Sequence, residues 1–520
     1  MAEFSCDVDL PGIQTSPWLA STLPEAVDSR TDDAEQPRLE GTELVDVAIV
    51  GGGIAGLSTA LELCERGRSV AVLERDRIAT GITGKSTAKL TSQHGLIYSH
   101  LRAEFGPQQA TQYARRQQNA IEAVEERIDD LGIDCGFERV PSYLYSNDRA
   151  EIEREVEAAT AAGLPATFVT SVPPFERAQA AVRFDEQAWF HPRRYLLAVA
   201  DELRANVDAS VYEQTPVTDV EPGQPCHVRT ESGSVTARQV VIATAFPIVD
   251  RAGYFARLHP KRSYVLGLRL EGPHPDGMYY RSGDPYRSVR THHGEDGPLL
   301  LVGGENHKTG QGGPTRKRYE RLLEWARERF SIESVAYRWS TQDYVPADKV
   351  PLVGRLGPGS ETVYVATGFR GWGMTNGISA GALLADLLTG ERPAAADLFD
   401  PLRFTPTTSL GTTLTENADA ASQFATDWAR TLLAPDLTSL EPGEGRILRK
   451  GGRPVACARD ADGDLHAVSA VCSHMACLVD WNDAECSWDC PCHGSRFSPD
   501  GEVLEGPATD RLAGRDPELD

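Results

Sequence analysis

The chain lacks the features of a membrane, secreted or nucleic-acid-binding protein. Its 520 residues contain no apolar run approaching the roughly 18 residues of a membrane-spanning helix, which argues against an integral membrane protein. Residues 1–36 have neither a basic segment nor a continuous apolar segment, so we expect a cytoplasmic rather than a secreted protein. The formal net charge of −24 repels phosphate backbones and makes nucleic acid a poor partner.

The composition is that of a folded protein with more than one domain. Apolar residues make up 40% of the chain and charged residues 25%, which is typical of soluble globular proteins. Changes in composition divide the sequence into four parts. They are an irregular N-terminal arm over 1–43, a mixed α and β unit over 44–392, a linker with a short helix over 393–439, and a compact unit over 440–520.

Cysteine is sparse through most of the chain and dense near its end. Six of the 10 cysteines fall between Cys457 and Cys492. In a cytosolic protein such a cluster favours a metal site over a framework of disulfides. We therefore expect a metal site in the C-terminal unit.

A nucleotide-binding motif stands at the start of the mixed α and β unit. Val45–Val50 is an apolar run typical of a buried parallel strand, and a G-x-G-x-x-G motif follows with glycines at 51, 53 and 56. Helix-forming residues and a second apolar strand, Ser69–Leu73, complete a βαβ unit that ends at Glu74. In this context the glycines let the backbone approach a pyrophosphate, and Glu74 accepts hydrogen bonds from the ribose hydroxyls.

The motif alone fits FAD or NAD, while Glu74 disfavours the 2′-phosphate of NADP. Three other features favour FAD. The sequence has one such glycine motif, whereas a flavin enzyme reduced by NAD(P)H through a second Rossmann domain usually has two. Gln239–Ala245 is a late strand of the kind that returns to the first sheet. Val363–Gly368 leads into a glycine-rich turn, Phe369–Gly377, and an apolar helix whose first N–H groups suit the N1/C2=O end of a reduced flavin.

With these segments and the stretch Val345–Gly354, residues 45–392 resemble the D-amino-acid oxidase and glycine oxidase superfamily of FAD-dependent oxidoreductases. The resemblance implies an α/β fold with a Rossmann-type FAD-binding domain and an interleaved antiparallel-sheet substrate domain. Some members attach the flavin through a cysteine shortly before the segment that matches Val345–Gly354. Residues 339–341 contain no cysteine, so we expect FAD to be bound without a covalent link.

The resemblance also indicates which residues contact FAD. Residues 81–92 would lie along the pyrophosphate and the flavin, and the backbone of Val217 would reach the adenine. The expected FAD-binding residues are Gly51, Gly53, Ile54, Ala55, Gly56, Glu74, Arg75, Lys85, Thr87, Val217, Gly371, Gly373, Met374 and Thr375.

A candidate substrate site lies between Met278 and Arg290. In the resembling oxidases an antiparallel sheet covers the flavin, an arginine holds the substrate carboxylate, and a tyrosine bonds nearby. By this resemblance the candidate catalytic residues are Arg287, for a bidentate contact with a carboxylate, and Tyr280 beside it. The alternative is that both are surface residues on an exposed strand of an arginine-rich chain.

The cysteine-rich end contains two loops that each offer a thiolate and an imidazole. Cys472 and His474 form C-x-H, and after fifteen intervening residues Cys490 and His493 form C-x-x-H. Such loops suit a Rieske [2Fe–2S] cluster, with both sulfurs on one iron and both histidines on the other. A tetrahedral zinc site is the alternative, but zinc loops usually pair like with like. The expected metal ligands are these four residues.

Both loops resemble the cluster-binding loops of Rieske proteins, which implies a small all-β domain at the C-terminal end. By this resemblance Cys477 and Cys492, the second cysteine of each loop, form a disulfide that ties the loops together. A reduced pair is the alternative in a reducing cytoplasm.

Together the two sites indicate an oxidoreductase. A flavin accepts two electrons and a Rieske cluster passes one at a time. We therefore expect oxidation of a small amine, amino acid or related acid at FAD, with electrons passed through the cluster to an external acceptor. The expected partners are a small-molecule substrate and an electron acceptor or donor protein. Two alternatives remain: a flavin and Rieske protein that relays electrons between a reductant and a partner, and a flavoprotein stabilised by zinc.

Overall fold

The computed structural model describes residues 9–23, 37–175, 178–250, 252–430, 440–450 and 452–515. Within these ranges two large sheets share the residues of the mixed α and β unit, and two small sheets form the C-terminal unit. The α/β class, the interleaved antiparallel sheet and the small all-β domain that the sequence predicts are therefore confirmed.

The first large sheet is mainly parallel and carries the glycine motif. Its eight strands are β1 (Gly41–Val50), β2 (Val70–Leu73), β7 (Ala209–Tyr212), β8 (Val217–Glu221), β9 (Cys226–Thr230), β10 (Gly233–Ile242), β16 (Leu352–Arg355) and β17 (Val363–Thr367). The main order is β16-β17-β10-β1-β2-β7, and β1 pairs in parallel with both β10 and β2. The last four residues of β1 are all buried, as expected of a central parallel strand covered on both faces.

Two helices begin at the carboxyl edge of this sheet. Helix α2 (Ile54–Glu65) follows β1 and helix α9 (Gly373–Leu388) follows β17, and β10 pairs in parallel with both strands. The helices pack closely, because a Cβ atom at Gly377 would lie 2.6 Å from Cγ2 of Ile54. The positive ends of two helix dipoles therefore meet at one edge of the sheet, where α/β proteins bind their ligands.

The second large sheet packs against the start of α9. Its nine strands are β3 (Lys89–Leu90), β4 (Glu138–Ser146), β5 (Ala166–Val169), β6 (Ala180–Trp189), β11 (Leu258–Leu270), β12 (Met278–Arg281), β13 (Arg287–Gly294), β14 (Gly297–His307) and β15 (Ile332–Pro346). The order is β15-β11-β14-β13-β12-β4-β6-β3, with β5 beside β6. The hydroxyl of Thr375 in α9 donates to the carbonyl of Thr91 over 2.8 Å, just after β3.

The N-terminal segment is more regular than the arm expected over residues 1–43. Pro17–Ala20 forms helix α1, capped by Ser16, and β1 already begins at Gly41. Trp18 is fully buried and its indole N–H donates to the carbonyl of Ser86 over 2.8 Å. Tertiary packing thus orders a segment whose composition favours irregular structure. Residues 1–8 and 24–36 of the expected arm lie outside the described residues.

The linker expected over residues 393–439 is largely helical. It contains α10 (Ala396–Phe399) and α11 (Pro406–Arg430), and α11 is longer than the short helix that the sequence predicts. Trp428 of α11 packs against the core of the C-terminal domain. Residues 431–439 lie outside the described residues.

The C-terminal domain consists of two small antiparallel sheets. One contains β18 (Gly445–Lys450), β19 (Arg453–Arg459) and β20 (Leu465–Ser469), and the other contains β21 (Asp480–Asn482), β22 (Ser487–Asp489), β23 (Arg496–Phe497) and β24 (Val503–Glu505). The four predicted metal ligands lie in the loops before β21 and between β22 and β23. Residues 516–520 of the expected 440–520 unit are not among the described residues.

The remaining helices are α3 (Ile97–Glu104), α4 (Pro107–Leu131), α5 (Arg149–Ala161), α6 (Pro192–Ala205), α7 (Tyr254–Arg257) and α8 (Arg316–Arg327). In the described part of the chain, no helix combines the length and the apolar character that crossing a membrane requires.

Candidate functional site

The turn between β1 and α2 and the first turn of α2 each contain one position that admits only glycine. Gly51 has φ +112°, and a Cβ atom there would lie 2.6 Å from the carbonyl oxygen of Ala243. A Cβ atom at Gly56 would lie 1.9 Å from the carbonyl oxygen of Gly51. Gly53 caps α2 without a side-chain hydrogen bond, and the N–H of Ile54 donates to the hydroxyl of Thr83 over 3.2 Å. This cradle fits a pyrophosphate.

Glu74 is held beside the glycine turn at the end of β2. Its Oε2 accepts a hydrogen bond from the N–H of Gly52 over 2.7 Å, and its Oε1 accepts one from the N–H of Asp76 over 2.9 Å. Each carboxylate oxygen keeps a lone pair for another donor. The contact of Glu74 with a ribose stays a prediction.

Three predicted FAD-binding residues have protein partners. The guanidinium of Arg75 donates to the carbonyl of Leu504 over 3.0 Å, and the ammonium of Lys85 lies 3.5 Å from the carboxylate of Glu505. Thr87 accepts a hydrogen bond from Lys89 over 2.9 Å. The side chains of Arg75 and Lys85 therefore reach the C-terminal domain. Contacts of these residues with FAD stay predictions, as does that of Val217, the first residue of β8.

The turn that opens α9 contacts the second sheet. The N–H of Gly371 donates to the carboxylate of Asp343 in β15. The hydroxyl of Thr375 pairs with Nε2 of His94 over 2.9 Å, and the ring of His94 stacks on Trp372 with 5.1 Å between centroids. Met374 is buried, and Gly373 begins the helix. These contacts fix the helix start predicted to face the flavin.

Tyr280 lies on the face of the second sheet that meets this turn. It is fully buried, and its ring lies 5.1 Å from that of Trp372. Its hydroxyl donates over 2.5 Å to the side chain and to the carbonyl of Gln93. Burial raises the pKa of Tyr280 well above its ordinary value, so the phenol stays protonated. The predicted contact of Tyr280 with the substrate stays a prediction.

Arg287 does not reach this face, and its predicted contact with a substrate carboxylate is wrong. Tyr280 pairs with Ser288 across β12 and β13, so the side chain of Arg287 points to the opposite face. There it forms a buried ion pair with Glu305, 2.5 Å between nitrogen and oxygen. Its charge is already neutralised inside the protein, which leaves it no role as an anchor for substrate.

Two buried cations that the sequence did not identify lie on the face of the second sheet that carries Tyr280, here called the inner face. Among the described residues, none of the guanidinium nitrogens of Arg290 has a hydrogen-bond partner, and its carbon lies 5.3 Å and 5.5 Å from the rings of Trp18 and Trp189. Lys89 donates to the hydroxyl of Ser288 over 3.2 Å. Burial, and then the charge of Arg290, lower the pKa of Lys89 to about 7. Because side chains alternate along β13, Arg290 lies on the same face of the sheet as Ser288. The sequence would have identified Arg290 if it had also shown which face points inward.

The four predicted metal ligands come together. Cys472 and Cys490 are buried, and the imidazole rings of His474 and His493 lie 5.0 Å apart. Nδ1 of each histidine is buried and bonds to none of the described groups. Such orphaned nitrogens beside two cysteines are suited to hold a metal centre.

Three of the four groups have pKa values shifted toward the forms that bind metals, while the hydrogen bond with Cys472 raises the pKa of Cys490 well above its ordinary value. Burial lowers the pKa of His474, and burial and then the charge of His474 lower that of His493 to about 4, so both rings are neutral. A hydrogen bond with Cys490 is the largest influence on Cys472 and lowers its pKa to about 7. Neutral imidazole and thiolate are the forms that bind metals.

A disulfide joins the two loops. Cys477 and Cys492 are bonded with an S–S distance of 2.00 Å, which is the pairing that the resemblance implies. The sulfur atoms of Cys477, Cys490 and Cys492 all lie within 4.8 Å of one another. Because two of them form the disulfide, only Cys490 of these three is free to bind a metal.

A glycine turn at the edge of a parallel sheet, a large antiparallel sheet beside it and a mixed Cys and His site define an FAD-dependent oxidoreductase with a Rieske domain. The chain belongs to the DAO family, described as FAD dependent oxidoreductase, whose model matches residues 46–387. Residues 431–515 match the Rieske [2Fe-2S] domain. FAD and a [2Fe–2S] cluster are therefore its cofactors.

Known proteins resemble the whole chain or its first two-thirds. The putative Rieske 2Fe-2S iron-sulfur protein YhfW of Bacillus subtilis is 37% identical over 485 residues, covering 92% of this chain and 94% of its own. Gamma-glutamylputrescine oxidoreductase of Escherichia coli is 28% identical over 68% of this chain and 85% of its own. Glycine oxidase from Geobacillus kaustophilus superposes with a TM-score of 0.58 at 21% identity, covering 70% of this chain and 99% of its own.

Proposed function

We propose that the protein oxidises a small amine, amino acid or related acid at FAD and passes the electrons through its Rieske cluster to an external acceptor. The contact between Lys85 and Glu505 carries this proposal, because it joins the loop predicted to hold FAD to the domain that binds the cluster. Two redox groups held against each other in one chain are suited to act in sequence. FAD supplies two-electron chemistry and the cluster one-electron chemistry.

The substrate class is supported by the inner face of the second sheet and by the relatives. Arg290 is a buried cation with no hydrogen-bond partner among the described residues, so a carboxylate of the substrate would relieve its desolvation. The related proteins are named for gamma-glutamylputrescine and, among the similar folds, for glycine. Both are amines. We assign Arg290, rather than Arg287, to the anionic group of the substrate.

Two side chains on this face would control protons around the substrate. Lys89, with a pKa of about 7, can hold or release a proton at Nζ near neutral pH. Tyr280 stays protonated and orients Gln93 through its hydroxyl. A substrate amine must be neutral to give up a hydride, and a nearby group that titrates near pH 7 would favour that form.

An anaerobic titration tests the proposal. Purified protein is mixed with a panel of small amines and amino acids, without NAD(P)H, and the flavin absorbance and the EPR signal of the cluster are recorded. We expect one member of the panel to bleach the flavin and then to reduce the cluster. In a Cys490→Ser variant the same compound should bleach the flavin and give no cluster signal. Bleaching by a reduced carrier protein alone would instead make the chain an electron-transfer protein.

A further inference from the structure

Strand β15 separates the two redox sites at residues 342–344. Side chains of a strand alternate between its faces, so Gln342 and Tyr344 share one face and Asp343 lies on the other. Gln342 and Tyr344 are buried, with 1% and 2% of their surfaces exposed. Each face contacts a different redox site.

The face of Gln342 and Tyr344 holds the cluster loops. The amide of Gln342 donates to the carbonyl oxygen of Gly494 over 2.8 Å and to the hydroxyl of Tyr344 over 3.0 Å. Gly494 directly follows the ligand His493. The hydroxyl of Tyr344 donates over 2.7 Å to the carbonyl oxygen of Gly506. Both side chains therefore fix the C-terminal domain by bonding to its backbone.

The face of Asp343 holds the turn predicted to contact the flavin. Its carboxylate accepts a hydrogen bond from the N–H of Gly371, just before α9. The N–H of Arg370 donates to the backbone carbonyl of Tyr344 over 3.2 Å. The backbone of one strand thus lies between the flavin turn and the cluster loops.

The packing on the cluster side is tight and partly aromatic. Gly494 has φ +81°, and a Cβ atom there would lie 2.5 Å from Cβ of Pro260, so the cluster loop meets the neighbouring strand with no room for a side chain. The ring of Phe246 lies 5.1 Å from that of Tyr344 and 6.2 Å from that of His474. Two aromatic contacts thus lead from the strand to a cluster ligand.

We propose that electrons pass from the flavin site to the cluster of the same chain across residues 342–344 of β15, and that Gln342 and Tyr344 are the positioning residues for this transfer. The inference rests on the proposed function. The two electrons that substrate oxidation leaves at FAD depart one at a time. Each reduces one ferric iron of the cluster to ferrous iron, and the external acceptor removes the first before the second follows. The protons go to solvent.

Light-driven reduction of the flavin tests this route without any substrate. The full-length protein with both cofactors is reduced anaerobically by a flash in the presence of EDTA, and the rise of the cluster EPR signal is followed by freeze-quenching. The variants are the double substitution Gln342→Leu with Tyr344→Phe, and the control Tyr337→Phe. Tyr337 lies five residues before Gln342 on the same strand, is half-buried, and packs against the hydrophobic cluster that contains Trp18 and Trp339.

The wild-type transfer rate should not change on tenfold dilution, since donor and acceptor lie in one chain. The double variant should keep its FAD, iron and cluster EPR spectrum but transfer electrons severalfold more slowly, and Tyr337→Phe should match the wild type. A rate that falls with dilution would place the acceptor in another molecule and overturn the route. A double variant as fast as the wild type would overturn the role of Gln342 and Tyr344. Because light replaces substrate, the result does not depend on whether an amine is oxidised.

Discussion

The carboxylate of Glu505 lies 3.5 Å from the ammonium of Lys85 and 3.3 Å from the guanidinium of Arg262, so an acid of the Rieske domain binds two cations of the FAD-dependent domain. Arg496 of the Rieske domain completes the group at 3.2 Å. Burial by itself would raise the pKa of Glu505. The charges of Arg496, Arg262 and Lys85 outweigh burial and hold that pKa well below its ordinary value.

This network predicts that acid weakens the contact between the domains. A depressed carboxyl pKa contributes stability that is fully present above the ordinary value of 4.5 and is lost as the pH falls below it. Replacing Glu505 by Gln should cost about 1–3 kcal/mol at pH 7, because Lys85 loses its carboxylate partner while Arg262 and Arg496 keep Glu485. The free energy of unfolding of both proteins is measured from about pH 7 down to about pH 3, across the range where the carboxyl group begins to take up its proton.

The difference between the two proteins should shrink toward the acid end of that range. Glu295→Gln is the control, because the side chain of Glu295 is 76% exposed and its pair with Arg194 lies on the surface. That variant should match the wild type throughout. A difference between wild type and Glu505→Gln that is independent of pH would contradict the assignment of the low pKa.

Loss of one cluster ligand should remove the iron and spare the flavin. His493→Gln takes away one of two buried imidazoles whose Nδ1 has no partner within the described structure. We expect iron and acid-labile sulfide to disappear while the FAD content stays near that of the wild type, since the cluster loops are separate from the glycine turn. Cys226→Ser, at a buried cysteine of the first sheet, is the control and should retain iron. Retained iron in His493→Gln would remove His493 from the ligand set.

A methyl group in the glycine turn should prevent FAD binding. Gly56→Ala places a Cβ atom 1.9 Å from the carbonyl oxygen of Gly51, so the turn must shift. We expect a loss of about 1–3 kcal/mol of stability and purified protein with little yellow colour. Gly272→Ala, where a Cβ atom meets nothing within 4 Å, should keep the wild-type FAD content. Full FAD content in Gly56→Ala would contradict the placement of the pyrophosphate.

Arg290 and Arg287 should respond differently to substitution by methionine. Arg290→Met should raise the KM for a carboxylate substrate more than tenfold, about the effect of losing one charged hydrogen bond. Arg287→Met breaks its pair with Glu305 and should lower stability by about 1–3 kcal/mol with little change in KM. Steady-state kinetics and thermal unfolding of both variants separate the two roles. A raised KM in Arg287→Met alone would restore the first assignment.

The sequence alone predicted the sites whose residues lie within a short segment. The glycines at 51, 53 and 56 and the loops of Cys472 and Cys490 carry their chemistry within a few residues, so their patterns can be read directly. Arg287 was assigned to the wrong side because a strand changes face with every residue, and its partner Glu305 lies on another strand. Lys85 has a partner 420 residues away, a distance that no local pattern spans. Trp18 is buried by contacts with residues distant in the sequence, among them Ser86, His191 and His292.

The most direct test of the account is a count of cofactors combined with EPR on the purified chain. We predict FAD and one [2Fe–2S] cluster per chain, with acid-labile sulfide equal to iron, and a cluster signal that appears when the flavin is reduced. Protein that contains zinc in place of iron and sulfide, or a cluster that stays oxidised while the flavin is fully reduced, would contradict it.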